Sequence, residues 1–287
     1  MDSTTETRTE HSTISARGTS DYSNISVDTT NTTTFPTAEH IPVFNTFAEK
    51  RRWLLEEMAG AFRIFARKGY GVGLAGHISV RDPEHPDQFW LNPLGVHFGL
   101  LKVSDMVLVD HEGNVIGGSM KPVNKAGFQI HGAIHRARPD VIAACHTHSV
   151  HGKAYSTFGR PLEMLNQDVC SFYNDQAVHT EFGGIVLSLE EGSHIADALG
   201  DKRTIILQNH GLLTAGSSVG EAAFLFILME QSCQVQLLAD SSSQEKKIIP
   251  DHIAEYTYKA DAYPEAMWAE FQTELQYETH MDPSYKN

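Results

Sequence analysis

The stretch that most constrains the fold of this chain runs from Val141 to Ser149, Val-Ile-Ala-Ala-Cys-His-Thr-His-Ser. A short apolar run of this kind reads as a strand. Side chains alternate along a strand, so His146 and His148 leave it on the same face, within reach of a single ion. Pro139 and Asp140 end the preceding element and put the pair at a strand's end, facing a cleft. A second stretch has the same form: Thr204-Ile-Ile-Leu-Gln-Asn-His-Gly delivers His210 just before Gly211, which permits a sharp turn. Three histidines from two strand ends suit Zn or Fe(II) with one or more positions open for water or substrate. His-x-His pairs also occur as ordinary polar residues on strand faces, and spacing alone leaves both readings standing.

The rest of the chain supplies partners for these strands. From Phe47 to Arg67 apolar residues recur at helical spacing, and Gly69 stops the helix. The glycine-rich stretch Gly71–Gly76 then feeds a strand ending at Arg81. No helix follows it to donate N-terminal amides, so a tight loop is the better reading than a phosphate cradle. Phe89–Leu91 and Met106–Val109 read as strands, and His111-Glu-Gly-Asn turns into Val115-Ile116, which makes this half an antiparallel sheet. Asn124 is placed to cap a helix over Lys125–Arg138 whose buried stripe is Phe128, Ile130, Ala133 and Ile134. A short helix is expected around Lys153–Thr157, a strand over Gly183–Leu189, a helix over Glu191–Leu199 and a strand over Thr204–Gln208. The long apolar stretch Gly220–Asp240 reads as a helix, part of whose surface is expected to meet another subunit. A last helix is expected over Pro264–Tyr277.

A formal net charge of -14 argues against nucleic acid or an anionic membrane as partner and leaves a small molecule. Cys145, Cys170 and Cys233 are odd in number and well separated, which fits a reducing compartment better than a disulfide framework. Residues 1–42 are rich in Ser and Thr and poor in apolar residues, so a disordered tail is expected there, with one domain over 43–245 and a C-terminal extension over 246–287. The tail lacks the apolar core of a signal peptide, and no apolar stretch reads as a membrane span. A cytoplasmic setting is therefore expected.

With both histidine stretches placed, the chain resembles the class II aldolase/adducin family over about Arg51 to Asp240. The ordered set that carries the resemblance is Gly76-His-Ile-Ser-Val-Arg81, Asn92-Pro-Leu-Gly95, Ala137-Arg-Pro-Asp-Val141, His146-Thr-His148 and Asn209-His-Gly-Leu-Leu213. The resemblance implies a three-layer α/β/α fold around a largely antiparallel sheet. It also implies a homo-oligomer, often a tetramer with active sites between subunits. Residue by residue, it implies that His146, His148 and His210 hold a divalent metal ion, Zn or Fe(II). The family glutamate that completes the metal site four residues before His131 is here Gly127, and two family serines align with Lys125 and Ala126. A family threonine aligns with Leu94, and a family asparagine with His77. Three hydroxyl donors of the phosphate pocket are thus lost, which disfavours a sugar phosphate. The wording of Asn124–Phe128 and Asn166–Asn174 is also similar to the adducin-like branch and to the aldolase-like non-haem iron oxygenases of aminocoumarin biosynthesis.

Several side chains are then candidates for the chemistry. His77 follows the glycine turn and is placed as an acid/base, against the alternative of a loop histidine bonded to local backbone. Asp168 and Tyr173 are candidate catalytic groups, and Asn174, Lys125, Gly76 and Gly95 candidate substrate-binding ones, against the alternative of polar loops satisfying themselves. Lys125 is able to attract an anion as a point charge. His131, His135 and His151 read as core or surface histidines. Gly127 is expected to leave room beside the metal, so that Gly127→Glu adds a ligand. Three functions fit: metal-assisted C–C cleavage of a hydroxy- or keto-acid through an enolate, an Fe(II) oxygenase, and a non-catalytic adducin-like binding module.

Overall fold

The computed structural model describes residues 40–186 and 188–287, so nearly all of the expected 1–42 tail lies outside the described residues. The core of the fold is an eight-stranded sheet, in chain order β1 (His77–Arg81), β2 (Phe89–Leu91), β3 (Val107–Val109), β4 (Val115–Gly118), β5 (Ala143–Thr147), β6 (Gln176–His179), β7 (Thr204–Leu207) and β8 (Gly211–Gly216). The spatial order is β4-β3-β2-β1-β5-β8-β7-β6. Every neighbouring pair is antiparallel except β6 and β7. The two histidine strands are thus brought together by β8, which pairs with β5 on one side and β7 on the other.

Among the described residues seven α-helices cover the two faces: α1 (Phe47–Arg67), α2 (Lys125–Ala137), α3 (Val150–Ser156), α4 (Leu189–Leu199), α5 (Val219–Asp240), α6 (Asp251–Asp261) and α7 (Pro264–Met281). Strand alternation decides which face each side chain meets. Ala143 and Cys145 of β5, Ile206 of β7 and Leu212 of β8 enter the large core shared with α1, α5 and α7. Ile205, Leu207, Leu213 and Ala215 enter the smaller core under α2 and α4. The result is the expected three-layer α/β/α fold with a largely antiparallel sheet. Caps set the helix starts. Thr46 and Glu49 exchange side-chain and backbone hydrogen bonds ahead of α1, and Asn124 accepts from the Gly127 N–H ahead of α2.

The observed elements differ from the expected ones in several places. The described part of Gly183–Leu189 is not a strand: Gly184 takes a left-handed φ of +102°, and Ile185 and Val186 wall a cavity instead of joining the sheet. The edge strand is β6, a short half-buried segment without strong apolar patterning. β8 and α6 were not expected. The α5 helix is long and apolar enough to cross a membrane by length and composition, yet most of it is buried against the sheet, α1, α3 and α7. Its apolar surface is therefore mostly used within the chain, with Val235 and Leu238 left exposed. The 246–287 segment joins the same core: Met267, Trp268 and Phe271 are buried, and the Trp268 indole donates to the buried carboxylate of Glu57 at 2.8 Å.

Candidate metal centre

His146 is the last cavity-facing residue of β5 and is buried. Its Nδ1 donates to the Leu212 carbonyl of β8 at 2.8 Å, which leaves the Nε2 lone pair free to point away from the sheet. His148 stands just past the end of the same strand. His210 sits on the tight connection between β7 and β8, where Asn209 takes a φ of +58°, a conformation that asparagine adopts more readily than most residues. Ring centroids are 5.2 Å apart for His146 and His148, 4.8 Å for His146 and His210, and 4.9 Å for His148 and His210.

The donor set fits a divalent ion. The ligand atoms of the three imidazoles all lie within 4.8 Å of one another. The Nε2 atoms of His148 and His210 are 3.0 Å apart, close to the spacing of two nitrogens that each bind one ion at about 2.0–2.1 Å. Burial lowers the pKa of all three: His210 is brought down to about 4, His146 falls well below the ordinary range, and His148 is lowered by burial and then by Lys153. Neutral imidazoles are the ligand form, so proton competition at neutral pH is weak.

His77 completes the wall. It is paired across β1 and β5 with His146, and the two rings stack at 5.9 Å with an interplanar angle of 17°. The residue is half-buried, but both ring nitrogens are shielded from solvent and neither has a hydrogen-bond partner. The alternative of local backbone bonding therefore does not describe it. Burial, then the neighbouring His148 and His210, lowers its pKa to about 4. A Cβ at Gly127 would meet the His77 ring at 2.3–2.5 Å, so the expected room beside the metal at position 127 is filled by the His77 imidazole. Behind it, Ser79 Oγ bridges His131 Nδ1 at 2.7 Å and His135 Nε2 at 2.8 Å, which makes both histidines buried polar core.

His77, His146, His148 and His210 together line a cavity of about 520 Å³. Its other walls are largely apolar, including Leu74, Ile130, Phe182, Ile185 and Val186, with Asn124 and Asn209 as amides and Lys153 as the one cation. Among the described residues that line it there is no serine or threonine. Lys153, on α3, forms no ion pair among the described residues; its position a little over one turn beyond His148 was the available signal for it.

Other candidates lie elsewhere. Lys125 is exposed on the first turn of α2 and does not line the cavity, where its neighbours Asn124 and Ala126 do. Asp168 belongs to a 3-10 turn, Asp168–Phe172, that packs against α6; Tyr173 packs on the large core; Asn174 takes a φ of +53° in the next turn. The structure does not bring these three to the cavity, because the Asp168–Phe172 turn packs against α5 and α6 on the large core. Gly76, with a φ of +99°, leaves space for Phe98 and the His146 carbonyl, at 2.9 and 3.3 Å from where its Cβ would be. Gly95 has a φ of +85° with nothing near its missing Cβ. Neither lines the cavity.

A three-layer α/β/α fold with a histidine triad at the ends of neighbouring strands defines an aldolase-like protein. The family model for the class II aldolase and adducin N-terminal domain matches residues 56–237, and the chain belongs to the class II aldolase/adducin family. It is 44% identical over 217 residues to a protein of Streptomyces niveus named decarboxylase NovR, covering 75% of this chain and 80% of that one. It is 44% identical over 219 residues to a 4-hydroxy-3-prenylphenylpyruvate oxygenase/4-hydroxy-3-prenylbenzoate synthase of Streptomyces roseochromogenus, covering 76% and 79%. A solved structure named L-fuculose 1-phosphate aldolase, from Glaciozyma antarctica, superposes with a TM-score of 0.81 at 43% identity, covering 86% of this chain and 97% of that one.

Proposed function

We propose that this protein is a metal-dependent lyase that cleaves a C–C bond of a small hydroxy- or keto-acid bearing an apolar group, by an aldol or decarboxylation route. The observation that carries the reading is the cavity itself: three imidazoles, apolar walls and a lysine that, among the described residues, has no ion-pair partner, with no serine or threonine among the described lining residues. His146, His148 and His210 would hold the divalent ion, Zn or Fe(II). Such an ion supplies Lewis-acid stabilisation of the negative charge that C–C cleavage leaves on the substrate. Lys153 supplies the counter-charge for a carboxylate, and the buried Ile130 and Val186 give the apolar part of the substrate a dry wall to pack on. His77 offers ring nitrogens with no protein partner, so its N–H is left to donate to a substrate oxygen.

The names of the two Streptomyces relatives support this substrate class, since one is called a decarboxylase and the other is named for a prenylated phenylpyruvate. The name of the second also supports an Fe(II) oxygenase as the alternative chemistry. The name of the Glaciozyma protein supports the competing substrate, a sugar phosphate. Purified protein loaded anaerobically with Zn2+ or Fe2+ is to be given 4-hydroxyphenylpyruvate, 4-hydroxymandelate and L-fuculose 1-phosphate, with CO2, aldehyde and O2 followed. Turnover of an aryl acid without O2 uptake supports the lyase, and O2 consumption with it supports the oxygenase. Efficient cleavage of the sugar phosphate alone overturns the proposal.

A homotetramer in the cytosol belongs to the same proposal. Leu74 and Ile185 at the cavity are 63% and 75% exposed, and a second copy seated there would cover them. All three cysteines are free and buried, which suits a reducing compartment. Sedimentation equilibrium reads the assembly, and a monomer at micromolar concentration removes that part.

A further inference from the structure

Glu230 lies in the middle of α5, just after the apolar run Ala222–Met229, and its side chain is buried. A lone carboxylate in such a helix is costly unless its oxygens are satisfied, so its partners matter. All of them come from the four residues that follow His148. Oε1 accepts from the His151 backbone N–H at 2.9 Å and faces His151 Nδ1 at 3.1 Å. Oε2 accepts from the Gly152 N–H at 2.6 Å and from the Ser149 hydroxyl. The close approach needs a glycine: a Cβ at position 152 would sit 2.9 Å from Oε2 and 2.7 Å from Leu212 Cδ1. Leu212 is also the residue whose carbonyl orients His146.

We infer that Glu230 is the positioning residue of the metal centre, holding the chain at Ser149–Gly152 so that His148 faces His146 and His210. The inference rests on the metal reading of that triad. On one side His148 is fixed by the β5–β8 ladder, which ends at Thr147 and Leu212. Beyond it no strand continues, and the carboxylate of Glu230 supplies the anchor from the opposite layer of the fold. His146 and His148 are therefore set by one packed unit made of Leu212, Gly152 and Glu230, and its loss should be felt as loss of ligand geometry. Outer contacts of this kind change metal affinity by about 10- to 100-fold.

The test is Zn2+ affinity measured by competition with a chromophoric chelator on the full chain, for wild type, Glu230→Gln, Ser149→Ala and Ile227→Val. Glu230→Gln keeps the shape and one acceptor oxygen, and Ser149→Ala removes a single donor. Ile227→Val thins the core contact of the same helix without touching the carboxylate. The expected result is Zn2+ binding weakened about 10- to 100-fold in Glu230→Gln, by a smaller factor in Ser149→Ala, and unchanged in Ile227→Val, even where thermal stability falls alike. Should Glu230→Gln fail to fold, Ser149→Ala carries the decision. Wild-type affinity in the folded Glu230→Gln protein, or in Ser149→Ala when it stands alone, overturns the inference. A wild-type protein that binds no Zn2+ overturns the metal reading itself.

Discussion

Gly127→Ala offers a test of how the site is built, because its effect should change sign with the residue at position 77. The added Cβ would lie 2.3 Å from His77 Cε1 and 2.4–2.5 Å from its two nitrogens, where ordinary contact is 3.4–4 Å. Relieving it needs a shift of roughly 1 Å in a ring that already stacks on His146. Overpacking of this kind costs about 1–3 kcal/mol, against a gain of up to about 1 kcal/mol from replacing glycine by alanine in a helix. In the wild-type background the substitution should therefore destabilise, by up to about 3 kcal/mol. In His77→Ala, where the ring is gone, the same change should be neutral or stabilise by up to about 1 kcal/mol. Urea unfolding of the four proteins gives the coupling, expected at about 1–3 kcal/mol. Additivity to within about 0.5 kcal/mol would show that position 127 does not meet His77. The same clash means that Gly127→Glu, which the family pattern makes attractive as a new ligand, should not tighten Zn2+ binding.

Lys153→Gln should weaken phenylpyruvate binding to the Zn2+-loaded protein by up to about fivefold and leave the neutral phenylacetone unaffected, since Lys153 is exposed and an exposed ion pair contributes about 0.2–1 kcal/mol; equal loss for both ligands would remove its role as the carboxylate partner. Burial raises the Glu57 pKa to about 7 from an ordinary 4.5, despite donation from Trp268 and Gln272. A raised folded-state pKa means that stability is fully present below about pH 4.5 and is lost as pH rises through about 7, by about 3 kcal/mol. Chemical unfolding at pH 5 and pH 8 should show that loss in wild type and much less of it in Glu57→Gln; parallel pH profiles would place the titration elsewhere.

The sequence made β5 and the histidine triad legible because both are local patterns: an apolar run, alternation, and a histidine two residues from another. α1, α2 and most of α5 followed from periodicity in the same way. What failed depended on tertiary position. Ile185-Val186 reads as a strand by composition, but the preceding glycines turn it into a cavity wall, while β6, half-buried throughout, carries too little apolar signal to stand out. Lys125 and Lys153 are equally plausible anion partners in sequence, and only the folding of α3 over the end of β5 distinguishes them. The His77 ring in the space beside Gly127 joins residues fifty apart across two layers, and the family alignment shows a missing glutamate without showing what fills its place. Glu230 carried a faint signal, a single carboxylate inside an apolar helix, whose meaning appears only when its partners at Ser149, His151 and Gly152 are seen.

Metal content in protein purified anaerobically, for wild type and His148→Ala side by side, decides whether the histidine triad is a metal centre. About one Zn or Fe per chain is expected in wild type and loss of most of it in His148→Ala, with cooperative unfolding retained because His148 lies past the strand end rather than in the core. Stoichiometric metal in His148→Ala, or none in the wild-type protein, would contradict that assignment.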